Sequence, residues 1–374
     1  MGGDYCLSRM GKIGIIDADL LNRKGHRFPN LACMKLSGFW KSKGEEVSLL
    51  LNYFDGNVYD HVYVSKVFTS TEVPFWLKSS DTITFGGTGF YFDKATPLPY
   101  DIEHTMPDYH LYDAFVNQRI QAGESKAQFK EYLNNSIGFL TRGCFRRCPF
   151  CVNQNETCVR VHSSLEEFLD SGRPEICMLD DNFLGFSGWK PILQQLIDTG
   201  NPFKFKQGLD ERILTEEKCE MLFAAKYSGD YIFAFDNVSD YDLIELKLKM
   251  IRRYTETKSV KFYVLVGFES TDAKDIENMF RRIELLMRYA CLPYIMRYAG
   301  VSSAPWAESK YRELYTSVAR WCNQPALFKK LTFREFCNKD QVGRMSVCSS
   351  MRAMTAFEKE YPEIARQYFD LRFS

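Results

Sequence analysis

The sequence lacks an excess of either charge, and it lacks a long hydrophobic run. Its 374 residues include 48 lysines and arginines against 48 aspartates and glutamates, so no overall field draws the chain towards nucleic acid or a membrane surface. No stretch approaches the roughly 20 apolar residues of a transmembrane helix, and the first residues contain no apolar core of a signal peptide. These absences predict a cytoplasmic protein with no membrane partner, and they give no indication of nucleic-acid binding.

The remaining composition is that of a globular protein. Hydrophobic residues make up 45% and charged residues 26% of a chain long enough for two domains. Twelve cysteines are scattered along it, and without an export signal they are expected to be reduced thiols rather than disulfides. Nine of them are isolated and are predicted to be mostly buried: Cys6, Cys33, Cys158, Cys177, Cys219, Cys291, Cys322, Cys337 and Cys348.

The other three cysteines lie within eight residues. Cys144, Cys148 and Cys151 have the spacing C-x3-C-x2-C. Three thiolates can hold three irons of a [4Fe–4S] cluster, which leaves the fourth iron open to a small-molecule ligand. Ferredoxins close the cluster with four cysteines, and structural zinc sites also use four ligands. A second cluster built from Cys322 and its neighbours Cys337 and Cys348 stays open as an alternative, although their spacing forms no compact motif.

The N-terminal part alternates strand and helix patterns. Strands are predicted at 12–18, 46–51, 61–64 and 82–85, and helices at 30–43 and 73–78. This order predicts a doubly wound parallel sheet, a Rossmann-like domain over residues 1–110. The turn Gly86-Gly87-Thr88-Gly89 follows the fourth strand, where such sheets bind ligands, although glycines also serve simply to make tight turns. Residues 111–134 are predicted to be a linker with a helix.

A second α/β series occupies residues 135–300. Strands are predicted at 137–140, 175–179, 203–207, 231–235, 260–266 and 292–297, and helices at 165–170, 190–199, 215–225, 243–253 and 273–290. Six such repeats are too few for the usual eight-stranded barrel, so an open, partial (β/α)6 barrel is expected. Residues 301–374 are predicted to form a helical extension with helices at 309–321, 332–337 and 355–369.

Polar side chains follow successive strands of this second series. Asp180, Asp181 and Asn182 follow the second strand, Gln207 and Asp210 the third, and Asp236 the fourth. Catalytic groups of parallel barrels gather at this end of the strands. Any one of these residues could instead cap a helix or face solvent, but their repetition favours a shared site.

The cysteine segment resembles the signature of the radical S-adenosylmethionine (SAM) superfamily. Phe150 precedes the last cysteine, where that family usually has an aromatic residue beside adenine. The segments 176–183 (ICMLDDNF) and 206–212 (KQGLDER) are similar to those of the branch with an N-terminal cobalamin-binding-like domain. The resemblance covers roughly residues 135–300.

The resemblance implies that Cys144, Cys148 and Cys151 hold the cluster and that SAM chelates its open iron. It implies SAM contacts from Phe150, Asp180, Asp181, Asn182, Gln207, Asp210 and Asp236. It also implies reductive cleavage of SAM to a 5′-deoxyadenosyl radical, with electrons from a flavodoxin- or ferredoxin-like donor. No feature names the substrate, so methyl transfer, methylthio transfer and other C–H chemistry stay open. The alternative from another class is a non-catalytic binding module braced by zinc or an iron–sulfur cluster.

Cobalamin is not expected, although the branch is named for it. Its cobalamin domains carry Asp-x-His-x-x-Gly after the first strand, whose histidine ligates cobalt. Here neither Asp17 nor Asp19 has a histidine two residues later, and His26 is displaced along the chain. The pair Gly86-Gly87 does preserve the glycines that would lie against the corrin tail.

Overall fold

The computed structural model describes residues 11–23, 25–79, 81–300 and 303–373. They divide into two compact units. The first comprises residues 1–141, 151–156 and 161–179, and the second comprises residues 142–150, 157–160 and 180–374, each within the described ranges. The elements are mixed α/β with parallel sheets, as the sequence predicts. In the described residues, no helix is both long and apolar enough to cross a membrane.

The strands are β1 (Lys12–Asp17), β2 (Glu46–Leu49), β3 (His61–Ser65), β4 (Ile83–Gly86), β5 (Asn135–Gly138), β6 (Thr141–Arg142), β7 (Arg160–Val161), β8 (Glu175–Met178), β9 (Phe203–Phe205), β10 (Tyr231–Ala234), β11 (Val260–Val266) and β12 (Leu292–Arg297). The α-helices are α1 (Ala18–Asn22), α2 (Leu31–Ser42), α3 (Thr88–Tyr91), α4 (Tyr100–Glu103), α5 (Asp113–Gln121), α6 (Lys130–Asn134), α7 (Trp189–Asp198), α8 (Glu216–Ala224), α9 (Tyr241–Tyr254), α10 (Ala273–Arg288), α11 (Pro305–Glu308), α12 (Arg312–Cys322), α13 (Pro325–Phe328), α14 (Phe333–Gln341), α15 (Ser349–Glu360) and α16 (Pro362–Tyr368).

The first unit contains a four-stranded parallel sheet in the order β2-β1-β3-β4. The central strand β1 is apolar and almost entirely buried, as expected for a strand covered on both faces. Ile15 pairs with Leu49 on one side and with Tyr63 on the other. Helix α2 follows β1 and begins where the Asn30 side chain accepts a hydrogen bond from the Cys33 amide. Its apolar residues join the core under this sheet.

Polar side chains lie at the carboxyl ends of strands β1 and β3, where they bind one another. Asp17 caps helix α1 and accepts a hydrogen bond from the Tyr112 hydroxyl at 2.8 Å. Burial raises the pKa of Asp17 from 3.8 to about 6. The amide of Asn30 donates to the hydroxyl of Ser65 at 2.9 Å, and its main-chain N–H donates to Tyr112. The end of these two strands is therefore a hydrogen-bonded network.

The glycines after β4 allow two main-chain segments to approach each other. A Cβ atom on Gly87 would lie 2.3 Å from the carbonyl oxygen of Lys66, and one on Gly89 would lie 2.8 Å from the same atom. Gly87 also has φ +101°, a region that L residues rarely adopt. The amide of Gly89 donates to that carbonyl at 2.9 Å. Close packing against the main chain of Lys66, just after β3, accounts for these two glycines.

The first unit also contains the parallel pair β5 and β8, in which Ile137 pairs with Cys177. Gly138 lets the Phe168 ring pack on β5, because a Cβ there would meet the ring at 2.3 Å. The predicted helix at 165–170 is a short 3₁₀ turn (Leu165–Glu167), whose capping box of Ser164 and Glu167 is present.

The second unit contains the parallel sheet β10-β11-β12. Strand β11 alternates buried and half-buried residues along its whole length. The segment after β9 lies beside β10, since Leu209 forms a parallel bridge with Phe233. Strands β11 and β12 have the bounds that the sequence predicts.

The C-terminal helices pack around a buried aromatic cluster. Trp321, Phe328, Phe333 and Phe336 are all buried core residues, and the Trp321 indole donates to the Leu331 carbonyl at 2.9 Å. The single helix predicted over 355–369 is wrong. Two helices, α15 and α16, cover this region, because Pro362 has no N–H and cannot continue α15.

Candidate functional site

The first part of the cysteine loop belongs to the second unit and is shaped by two residues with positive φ. Gly143 has φ 95° and Arg147 has φ 52°. For a residue with a side chain this left-handed conformation is unusual, and such residues concentrate at functional sites. The amide of Gly143 donates to Asp181 Oδ2 at 2.8 Å. Asp181, predicted to lie in the site, thus fixes the start of the loop.

Two N–H groups surround the sulfur of Cys144. The main-chain N–H of Arg146 and the side-chain Nδ2 of Asn182 both donate to Cys144 Sγ at 3.4 Å. Asn182 is 2% exposed. Its Oδ1 is buried and has no hydrogen-bond partner. Both donors therefore converge on the first sulfur of the motif.

Asp210 connects this sulfur environment to two arginines. Its Oδ2 accepts hydrogen bonds from Arg146 Nε at 2.5 Å and from Asn182 Nδ2 at 3.4 Å. Its Oδ1 accepts one from Arg212 Nε at 2.8 Å. Although burial acts to raise it, the bonds from both guanidinium groups hold the pKa of Asp210 below its usual range. Asp210 is therefore a buried carboxylate whose two oxygens are both engaged.

A cavity of about 340 Å³ opens beside the cysteine loop within the second unit. Cys148 and Phe150 form part of its wall, together with residues that follow strands β10 and β11. The Phe150 ring contacts Phe268 edge-on, with centroids 5.4 Å apart, and Phe268 contacts Tyr298 in the same way at 4.8 Å. The charged lining residues are Arg146, Arg147, Arg212, Asp236, Asp240, Glu269, Asp275 and Arg282. The cavity therefore combines aromatic surface with groups of both charges.

Helix α10 supplies two of these groups. Arg282 is 2% exposed. Its Nη1 donates to the carbonyls of Phe235 at 3.0 Å, Asp236 at 2.9 Å and Leu265 at 2.9 Å. Asp275 accepts bonds from the Tyr315 hydroxyl at 2.6 Å and from the amide of Gly267 at 2.9 Å. Helix α10 thus fixes the ends of strands β10 and β11.

Two acids of the cavity have raised pKa values. Burial raises the pKa of Asp236 and of Asp275 above the usual range of a carboxyl group. The main-chain amide of Leu265 donates to Asp236 Oδ1 at 3.1 Å. Acids of this kind, in a cleft, are candidates for a functional role.

The predicted site residues fall into distinct surroundings. Cys148, Phe150 and Asp236 line the cavity. Cys144, Asn182 and Asp210 are joined by hydrogen bonds. Asp180 is buried, and Gln207 is exposed. Binding of SAM by these residues stays a prediction.

Several residues of the site were missed from the sequence. Arg212 lies within the segment 206–212, but its role in holding Asp210 had no signal of its own. Asp275 and Arg282 lie on a helix without a recognisable motif. Glu211 was also missed. It is 1% exposed, and burial, the largest cause, raises its pKa to about 8. Glu211 is therefore mostly a neutral acid at pH 7, with Oε2 accepting from the amide of Ala234.

The described cysteines fall into two groups, three in the loop and eight isolated along the chain. Cys144, Cys148 and Cys151 are half-buried, and Cys151 Sγ accepts a hydrogen bond from the Asn153 amide at 3.4 Å. Seven isolated cysteines are buried as predicted: Cys33, Cys177, Cys219, Cys291, Cys322, Cys337 and Cys348. Cys158 is exposed, which corrects the expectation for it, and Cys6 lies outside the described residues.

In the part of the chain that the structure describes, no three His, Cys, Asp or Glu side chains are close enough together to hold a metal ion. The same is true of Cys322, Cys337 and Cys348, the alternative set of cluster ligands. Burial raises the pKa of Cys337 to about 12, which keeps that thiol protonated.

The sequence matches no family model, and it matches none of the curated proteins. Among solved structures, the chain is similar to OxsB, described as a cobalamin-dependent S-adenosylmethionine radical enzyme and solved in its apo, selenomethionine-labelled form. The identity is 14% and the TM-score 0.44. The similarity covers 98% of this chain and 64% of OxsB, so the chain spans less than two thirds of that protein's length. OxsB is of the class that the cysteine motif resembles.

Proposed function

We propose that this protein is a radical SAM enzyme that cleaves SAM reductively and modifies a substrate through a 5′-deoxyadenosyl radical. Cys144, Cys148 and Cys151 would hold a [4Fe–4S] cluster, since three soft thiolates suit iron–sulfur ligation. One observation carries the proposal. The cysteine loop, through Cys148 and Phe150, forms part of the wall of a cavity of about 340 Å³ that is also lined by residues after strands β10 and β11.

When bound, the cluster supplies the electron that breaks a carbon–sulfur bond of SAM. The residues around Cys144 suit that chemistry, because N–H donors at the sulfur favour negative charge there. The cavity would take the adenosine part of SAM, with Phe150 and Phe268 against the base and Asp236 near the ribose. Its walls would hold SAM in register and exclude water.

The methionyl part of SAM would lie near Asp180, Asp181 and Asn182. The Oδ1 of Asn182 is a buried acceptor without a donor, and the amino group of SAM would supply one. Gln207 and Asp210 would lie towards the ribose or the carboxylate of SAM. Because arginines already engage both oxygens of Asp210, its contribution would be to hold Arg146 and Arg212 in place.

We further propose an open (β/α)6 barrel preceded by a Rossmann-like domain, in a cytoplasmic enzyme. The strand order β2-β1-β3-β4 and the parallel sheet β10-β11-β12 support this architecture. A flavodoxin- or ferredoxin-like protein would deliver the electron. Arg147, which is exposed beside Cys148, offers a positive charge to such an acidic donor.

The test compares two cysteine variants after anaerobic reconstitution with iron and sulfide. Cys148→Ala should lose the cluster, seen as loss of the brown colour and of the broad absorption near 400 nm. It should form no 5′-deoxyadenosine when incubated with SAM and dithionite. Cys158→Ala is the matched control, since Cys158 is exposed and outside the motif. It should keep the iron content and the SAM cleavage of the parent.

Loss of the cluster in Cys158→Ala would contradict the three-ligand set. A parent protein that holds iron but releases no 5′-deoxyadenosine would instead favour the non-catalytic binding module.

A further inference from the structure

We propose that Asn182 is a positioning residue that holds the sulfur of Cys144 and raises the reduction potential of the cluster bound there. The inference rests on the proposed function, because it assumes that Cys144 ligates a cluster. It assigns to Asn182 a part in electron uptake that is separate from any contact with SAM.

The geometry gives the amide of Asn182 one orientation. Its buried nitrogen lies 3.4 Å from Cys144 Sγ and 3.4 Å from Asp210 Oδ2. A cysteine thiolate and an ionised carboxylate are both acceptors, so only the NH₂ end of the amide can face them. Each of its two hydrogens then has one acceptor. The reverse orientation would turn Oδ1 towards two negative groups.

Asp210 keeps this amide from rotating. Arg146 donates to the same oxygen as Asn182, and Arg212 donates to the other one. Arg212 also lies 3.4 Å from Asp240. The carboxylate is therefore held from two sides by charge-assisted bonds, which are the stronger kind. The charge of Asp210 is balanced by both arginines, so it adds little repulsion at the sulfur.

The electrostatic consequence follows from the charge of the reduced cluster. Reduction adds one negative charge, part of which resides on the cysteine sulfurs. A hydrogen bond to such a sulfur stabilises the reduced state more than the oxidised state, and the potential rises. Arg146 supplies a main-chain donor that substitution of its side chain would not remove. Asn182 supplies the side-chain donor, which substitution can remove.

The experiment is a redox titration of the reconstituted protein without SAM, followed by the electron paramagnetic resonance signal of the reduced cluster. Asn182→Leu removes the donor at similar volume. At a fixed solution potential, its ratio of reduced to oxidised cluster should fall about three- to tenfold, and a tenfold fall corresponds to about 59 mV for one electron. The ratio in Asn182→Ser, which keeps an O–H donor, should lie between the ratios of Asn182→Leu and of the parent. The iron content should be that of the parent in both.

The matched control is Asn201→Leu, because Asn201 is an amide residue that precedes strand β9. The reduction potential of the cluster in this variant should equal that of the parent. An unchanged potential in Asn182→Leu would overturn the inference while the proposed function stands. Loss of the cluster in both Asn182 variants would also overturn it, since Asn182 would then serve assembly. A parent that takes up no iron contradicts the proposed function and this inference together.

Discussion

Asp17 shows how one buried acid adds pH dependence to the first unit. It is 1% exposed, lies at the end of strand β1 and serves as the cap of helix α1. The hydroxyl of Tyr112 and the amide of Leu20 both donate to it. Burial outweighs these bonds and raises its pKa from 3.8 to about 6. The folded state therefore binds this proton more tightly than the unfolded state does.

The first prediction concerns the free energy of unfolding. A raised pKa in the folded state means that the contribution of Asp17 to stability is full below 3.8 and is lost as the pH rises to about 6. Asp17→Asn keeps a cap acceptor and does not titrate. The free energy of unfolding of the parent, minus that of the variant, should fall by about 2 kcal/mol between about pH 4 and about pH 7. Urea unfolding of both proteins across this range measures it. A difference that stays constant with pH contradicts the assignment.

At the scale of elements, helix α10 stabilises the strand ends that form the cavity. One buried guanidinium, Arg282, donates to two carbonyls just after strand β10 and to one in strand β11. Burial lowers its pKa, and the nearby acids Asp275 and Asp236 oppose that shift. Removal of the guanidinium would leave three carbonyls without their donor.

We therefore expect Arg282→Met to lower the free energy of unfolding by about 3 kcal/mol, since buried polar groups left unpaired are costly. The adjacent Arg281 is the matched control, because it is exposed and lies over the Tyr241 ring. Arg281→Met should cost roughly 0.5 to 1 kcal/mol, the scale of an exposed cation–π contact. Urea unfolding of the three proteins decides the point. Equal effects in the two variants would show that the bonds of Arg282 do not stabilise the strand ends.

Much of the element pattern can be predicted from the sequence, because burial sets a local periodicity. The alternation along 260–266 predicts strand β11 with its observed bounds. Thr215 caps helix α8 where the pattern places the helix start. The site is harder to predict. The bond between Asn182 and Cys144 joins residues 38 positions apart, and the buried state of Arg282 depends on two strands distant in the sequence. No local pattern encodes such contacts.

At the scale of the whole molecule, the first unit bears on whether cobalamin is a cofactor. OxsB is described as cobalamin-dependent, and this gives no support to the prediction that the present protein binds no cobalamin. The prediction rests on this chain's own residues. The ends of strands β1 and β3 hold the network around Asp17 and Tyr112, and Gly87 and Gly89 are accounted for by Lys66. No histidine lies two residues after Asp17 or Asp19.

Hydroxocobalamin mixed with the parent protein under anaerobic conditions should accordingly separate from it on gel filtration. The visible spectrum of the protein fraction should then contain no corrin bands. Retention of one corrin per chain would contradict the prediction and would make radical methylation the leading reaction.

The left-handed residue in the cysteine loop has a consequence for chemical synthesis. Arg147, with φ 52°, has a backbone conformation that is the mirror image of the one its own chirality prefers. A mirror-image D-amino acid would adopt it without that penalty. In a synthetic peptide maquette of residues 142–153, D-arginine at this position would therefore preorganise the turn between the first two thiols. The handedness of a single residue thus provides a way to rebuild the loop outside the protein.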